Sequence, residues 1–289
     1  MLAGLRGQLA CIPIFMTLVA CSNNDFAESA RVYEKGMFFG GVAGDEPHSV
    51  LAARKILSAG GSAADAATAM YFSLAVTLPS AASLGGGGSC LVYSPKNKRS
   101  PQKIEALEFF SRPPTTIPST ATRPSAVPGN PVGIFALHTR YGRMPWREMV
   151  AVGEKLARFG TQISRALLNE LKPIEAALFE DLSSSAVFGG VTGVSPNEGD
   201  MLVQLDLANT LSNIRVNGPV DFYRGKFAKL LVNRVNAAGG SLSLEDLNNY
   251  KPRWVKTISM ELDRKIFSRN RAHFVPPPAP AESAVTHTA

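Results

Sequence analysis

Ala59-Gly60-Gly61-Ser62-Ala63-Ala64-Asp65-Ala66-Ala67 and, further on, Leu84-Gly85-Gly86-Gly87-Gly88 running through Ser89 into Cys90-Leu91-Val92-Tyr93 are the stretches on which the fold turns. Gly60 and Gly61 close a helix expected over 47–59, with Val50, Leu51, Ile56 and Leu57 on its inner side. Ser62 and Asp65 have the spacing of a capping box, so a second helix starts at Ala63 and runs to Val76. Its side chains are mostly methyl groups, which predicts a close-packed, buried helix, and Pro79 stops it. The four glycines invite comparison with a phosphate cradle, but no Lys-Ser/Thr follows and a strand, not a helix, comes next. Close approach of two backbone layers is the better account of them.

Working outward, Gly40 to Ala43 reads as a short strand on the N-terminal side. On the C-terminal side Cys90 to Tyr93 reads as a buried strand, Pro95 to Lys98 as a turn and Ile104 to Phe110 as an alternating second strand, which together make a hairpin. Residues 111–131 hold six prolines amid Ser and Thr and form an extended surface connection. Helices follow at 132–141, ending at Gly142, and from Pro145 to near Gly160. Three more are expected at 202–216, 221–238 and 244–250, the last with Ser243 and Asp246 in capping-box register. The alternating run Thr257 to Phe267 returns to the sheet, and 276–289 has no core-forming pattern.

The chain has 289 residues, 45% hydrophobic and 18% charged, which excludes a disordered, collagenous or coiled-coil protein. Thirty Lys and Arg against 23 Asp and Glu give +7 with no block of like charge, so the excess reads as a solvated surface and no nucleic-acid partner is expected. Cys11, Cys21 and Cys90 show no C-x-x-C spacing, and His48, His138, His273 and His287 are widely separated; no metal and no cofactor are expected. Near the N-terminus, Arg6 precedes an apolar run from Leu9 to Ala20, too short to span a bilayer. Its end, Leu18-Val19-Ala20-Cys21, resembles the lipobox of bacterial lipoproteins, which makes Cys21 the lipidation site and Ser22 to Asp25 the start of a solvated tether. The plainer alternative is an ordinary signal peptide with a chance cysteine. The expected organisation is a signal at 1–21, a tether at 22–35, one domain at 36–278 and a disordered tail at 279–289. The expected place is the periplasmic side of a bacterial envelope, lipid-anchored.

Three stretches together resemble the γ-glutamyltransferase family of N-terminal-nucleophile hydrolases, in the part that becomes its large subunit. The first is Pro47 through Gly88, where 59–67 and 84–88 match the family's AGGNAVDAA and GIGGGG. The second is Ala126-Val127-Pro128-Gly129 leading to Arg140-Tyr141-Gly142. The third is Asp206-Leu207-Ala208, Phe222-Tyr223-Arg224-Gly225, Ala238-Gly239-Gly240 and Leu244-Glu245-Asp246-Leu247, on to Tyr250-Lys251-Pro252-Arg253-Trp254. The resemblance implies an α+β fold, an incomplete N-terminal-nucleophile hydrolase-like αββα sandwich with a large helical part.

The resemblance also implies a chemistry. The family attacks γ-glutamyl amides such as glutathione with a threonine exposed by self-cleavage, whose α-amine serves as base, and backbone N–H groups hold the oxyanion. That threonine opens a second half with a Thr-Thr-His-x-Ser-Val type motif, well beyond the proline run that here is Pro276-Pro277-Pro278. Thr286-His287 only superficially matches it, so no catalytic residue is assigned, and the half alone is expected to be inactive without a small-subunit-like partner. The family's substrate arginine lies in a D-F-R-E-x-A-P context. Here the string is Leu107-Glu108-Phe109-Phe110-Ser111-Arg112-Pro113-Pro114, which puts Phe110 at that place and Arg112 two residues later. Two residues along a strand restore the same face, so Arg112 is the candidate substrate-binding residue; otherwise it is a solvated loop residue. The expected function is a γ-glutamyltransferase-like protein, with a non-catalytic envelope lipoprotein or a truncated gene product as the alternatives.

Overall fold

The computed structural model describes residues 40–96, 101–189, 195–260 and 272–274. The strand read from the sequence at 40–43 is not formed. These positions are largely exposed, and among the described residues no strand lies beside them to bond to. The first helix, α1 (Pro47–Ser58), begins at Glu46, whose fully buried carboxylate accepts from Ser49 N at 2.8 Å and His48 N at 3.2 Å. Thr77 Oγ1, 2.9 Å from the same carboxylate, ties that start to the end of α2 (Ala63–Thr77). The buried face of α1 is Ser49, Ala52 and Ala53, whereas Leu51, placed inward by the sequence pattern, is exposed. Small side chains let α1 lie close against the Ala-rich α2, and a leucine in that seam would hold the two apart.

After the single turn α3 (Pro79–Ala82) the glycine run leads into β1 (Gly88–Ser94), which pairs antiparallel with β2 (Lys103–Phe109) from Gly88↔Phe109 to Ser94↔Lys103. Helices α4 (Asn130–Tyr141) and α5 (Trp146–Phe159) follow; α5 packs on α2, and α4 lies against β2. A two-residue strand β3 (Thr161–Gln162) pairs with β4 (Met201–Leu202). Between them lie α6 (Arg165–Leu171), α7 (Glu175–Glu180) and α8 (Leu182–Phe188), none of them assigned from the sequence. They build a satellite core on Leu78, Ile163, Leu167, Leu171 and Leu202.

The helix expected at 202–216 is α9 (Leu205–Asn217). The single helix expected at 221–238 is two, α10 (Val220–Arg224) and α11 (Lys226–Ala237). Asp221 causes the break, because its carboxylate turns back to accept from Lys226 N at 2.8 Å. Helix α12 (Leu244–Asn249) carries the Ser243–Asp246 capping box. Then β5 (Arg253–Val255) pairs with β2, giving one sheet in the order β1-β2-β5. The return to the sheet is therefore earlier than the run at 257–267. Of that run, β6 (Ile258–Met260) pairs with β7 (Ala272–Phe274) in a separate ladder, and 261–267 lie outside the described residues.

One face of the sheet carries Cys90, Val92, Leu107, Phe109 and Trp254 into the main core with Leu137, Ile134 and Phe72. On the other face Leu91 is 47% and Tyr93 59% exposed, so β1 is only half buried, not the buried strand its composition implies. Ile104 is intermediate, while Leu107 and Phe109 are buried because they face α4. Glu105 fastens the sheet to the end of α4. It accepts from Arg140 Nη2 at 2.6 Å and from the Tyr141 hydroxyl, with Lys103 Nζ at 2.8 Å. Burial pushes the Glu105 carboxyl up, but the Lys103 and Tyr141 hydrogen bonds and the Arg140 charge outweigh it and hold the group below the carboxylate range. Burial and the bond to Glu105 push the Tyr141 hydroxyl up to about 12.

The proline-rich connection at 111–131 is laced to the turn between α11 and α12. Thr115 donates to Asp246 Oδ1 through N at 2.8 Å and Oγ1 at 2.7 Å. Ser241 Oγ donates to Thr116 O, Ser125 Oγ to Ser241 O, and Thr122 N and Arg123 N both to Gly239 O.

Candidate functional site

The glycine run meets the start of α4 at backbone contact. Gly86 O accepts from Gly129 N at 2.8 Å and Asn130 N at 3.0 Å, and Asn130 Nδ2 donates to Ser83 O at 2.7 Å. A Cβ on Gly87 would lie 2.1 Å from Ser111 N, and one on Gly129 would lie 1.9 Å from Phe109 O. No side chain fits in either place, so these glycines serve close layer packing rather than an anion cradle.

That junction sets the segment after β2. Arg112 and Val127 form an antiparallel bridge, with Arg112 N donating to Val127 O at 3.3 Å and Val127 N to Arg112 O at 2.7 Å. Phe110 is half-buried, and its carbonyl accepts from the Tyr250 hydroxyl at 2.7 Å. The exposed Arg112 guanidinium lies 5.1 Å from the centroid of the Tyr250 ring, and Nη2 donates to Lys251 O at 3.4 Å. Among the described residues no carboxylate pairs with Arg112, so most of its five N–H donors remain available to a ligand. Tyr250, read from the sequence only as part of a Tyr-Lys-Pro-Arg-Trp string, is thus the side chain that meets Arg112 from 138 residues away. Burial pushes its hydroxyl up, with the charges of Arg112 and Arg253 opposing.

The buried carboxylates are structural. Asp65, fully buried, accepts from Ser62 N at 2.8 Å, Ser62 Oγ at 2.9 Å, Arg143 N at 3.0 Å and Met144 N at 3.3 Å. His138 Nε2 lies 3.3 Å from Asp65 Oδ1 and 3.0 Å from Met144 O; that carbonyl only accepts, so this nitrogen carries the proton. Asp246 caps α12 and anchors Thr115, and neither carboxylate is free for proton transfer. Burial pushes the Cys90 thiol up to about 11, so it is not a thiolate nucleophile at neutral pH.

A cavity of about 430 Å³ lies elsewhere, between the first turn of α2, strand β1 and Arg143, and does not include Arg112. Among the described residues no group of three or more His, Cys, Asp and Glu is placed to hold a metal. Cys21 lies outside the described residues.

Residues 49–287 match the family model described as gamma-glutamyltranspeptidase. The chain is 30% identical over 245 residues to a glutathione hydrolase proenzyme of Pseudomonas aeruginosa, covering 81% of this chain and 43% of that protein. With the corresponding proenzyme of Escherichia coli it is 34% identical over 207 residues, 68% of this chain and 36% of the relative. The chain thus spans less than half the length of these curated relatives. The structure superposes on that of Helicobacter pylori gamma-glutamyltranspeptidase with a TM-score of 0.74 at 28% identity, covering 85% of this chain and 72% of the other.

Proposed function

The chain belongs to the γ-glutamyltranspeptidase family, and from that premise we propose that it supplies the large-subunit-like scaffold of an enzyme that transfers or hydrolyses γ-glutamyl amides. Its fold is α+β, of the N-terminal-nucleophile hydrolase type seen in its structural neighbours. One observation carries the functional reading. The sheet β1-β2-β5 leaves the Leu91 and Tyr93 face open and the outer edge of β1 without backbone partners among the described residues. Soluble domains seldom leave both an apolar sheet face and a strand edge bare. A segment bearing the threonine nucleophile, cleaved from the same chain or separate, would cover that face and complete the sandwich. Arg112 would hold the glutamyl carboxylate by paired N–H bonds.

Reconstitution tests this reading. The chain is combined with the nucleophile-bearing half of the Escherichia coli relative, and release of anilide from γ-glutamyl p-nitroanilide is followed. Activity that appears only in the mixture, and disappears when the N-terminal threonine of the added half is changed to alanine, is the expected result. A mixture that associates but turns over nothing would favour the second reading, a non-catalytic binding scaffold. Phe110, standing where the family places its arginine, is the observation behind that second reading.

The motif Leu18-Val19-Ala20-Cys21 supports a further part of the proposal, acylation of Cys21 and tethering at the periplasmic side of a bacterial envelope. Expressed in a Gram-negative host, the wild type should partition into the detergent phase and Cys21→Ala should remain aqueous. Equal partitioning of the two would refute the anchor.

A further inference from the structure

We propose that Tyr250 is a positioning residue for Arg112, holding its guanidinium where a glutamyl carboxylate binds; this rests on the reading of Arg112 given above. Arg112 lies beyond the end of β2 and is exposed, and a long cationic side chain at such a place is ordinarily spread over many rotamers. Here three restraints act on it at once. Its backbone is fixed by the bridge to Val127, its guanidinium carbon lies over the Tyr250 ring at 5.1 Å, and Nη2 is bonded to Lys251 O.

Tyr250 is itself held. It is 7% exposed, its ring stacks on Tyr223 with centroids 6.1 Å apart, and Tyr223 donates to Pro128 O at 2.9 Å. Its hydroxyl reaches Phe110 O only because position 129 has no side chain, since a Cβ on Gly129 would lie 2.5 Å from that hydroxyl. One side chain therefore fixes the backbone two residues before Arg112 and also supplies the face on which the guanidinium rests. The contact with the ring takes up no oxygen acceptor, and with one Nη2 proton on Lys251 O the remaining N–H donors still include a paired edge that a carboxylate can take. The ring thus helps to orient the fork without occupying it. This arrangement also explains how an arginine displaced by two residues from the family position can present a defined donor set.

The full-length chain is used for the test, with L-glutamate as the probe followed by calorimetry and by the NMR signal of Arg112 Nε–H. In the wild type that signal should be shifted by the Tyr250 ring. Tyr250→Leu should abolish the shift and weaken glutamate binding by about threefold to fivefold, the upper part of what a cation–ring contact supplies at an exposed site. Tyr250→Phe keeps the ring and should retain the shift, with binding within about 1.5-fold of wild type. A merely structural tyrosine would lower the melting temperature of both variants and leave the Arg112 signal and the affinity unmoved, which would overturn the inference. Arg112→Ala separates the two levels. If glutamate does not bind, or binds Arg112→Ala as well as wild type, the reading of Arg112 fails and this inference falls with it. If Arg112→Ala abolishes binding while Tyr250→Leu does not alter it, only the positioning role is refuted.

Discussion

Asp65→Ala is expected to cost the chain about 3–5 kcal/mol of folding stability at 25 °C, the largest effect of any single substitution proposed here. The carboxylate is inaccessible to solvent and serves Ser62 N, Ser62 Oγ, Arg143 N, Met144 N and His138 Nε2 together. Its removal takes away the reciprocal half of the capping box at the start of α2 and strands the backbone N–H groups of the turn between α4 and α5, in a place where a methyl group accepts nothing. Loss of one partner in such a buried set costs about 3–5 kcal/mol. A single domain has about 5–15 kcal/mol in all, so the loss takes a large share of it. Denaturant unfolding followed by circular dichroism reads the change. A shift of less than about 1 kcal/mol would mean that water replaces the lost acceptor and the site is not sealed.

The second large effect is expected from Gly129→Ala. The added methyl would sit 1.9 Å from Phe109 O and 2.5 Å from the Tyr250 hydroxyl, and the first of these is backbone in the middle strand of the sheet. Neither can move without breaking the Tyr250 bond to Phe110 O or shifting β2 against α4. Overpacking of this kind costs about 1–3 kcal/mol, and a rigid obstacle places the substitution at the upper end. Gly129 is the N-cap of α4, where alanine is already the poorer residue, by less than about 1 kcal/mol. A loss well beyond that size therefore reports the packing contact, and a loss no larger than it reports the cap alone. A stabilised Gly129→Ala would contradict the contact described here.

Both capping boxes were legible in the sequence because a cap is a local device: Ser62 with Asp65 and Ser243 with Asp246 are three residues apart and need no partner from elsewhere to be recognised. The hairpin and the proline-rich connection were legible for the same reason. Strand β5 was not, since three residues beginning with Arg253 have no period of their own and become a strand only by pairing with Ala106 to Glu108. Leu51 misled because helical periodicity finds the apolar stripe, whereas at the α1–α2 seam size decides and the alanines win. The break at Gly225 was hidden too, for it depends on a carboxylate turning back onto the next helix. At the candidate site, motif matching reached Arg112 but gave it no surroundings. Tyr250 meets it only through the tertiary fold, and no spacing rule connects the two.

The lacing of residues 111–131 bears on how the molecule can move. A proline-rich connection between a sheet and a helical part would ordinarily be the place to look for a hinge. Here it is a belt, because Thr115, Thr116, Thr122, Arg123 and Ser125 are each bonded to the stretch between Gly239 and Asp246. Six prolines also limit the backbone angles it could swing through. Rotating the sheet against α11 and α12 would have to break these bonds together, so slow domain-closure motions find no compliant joint at this place. Arg112 sits at one end of the belt, so the segment that carries it is tied to the turn between α11 and α12.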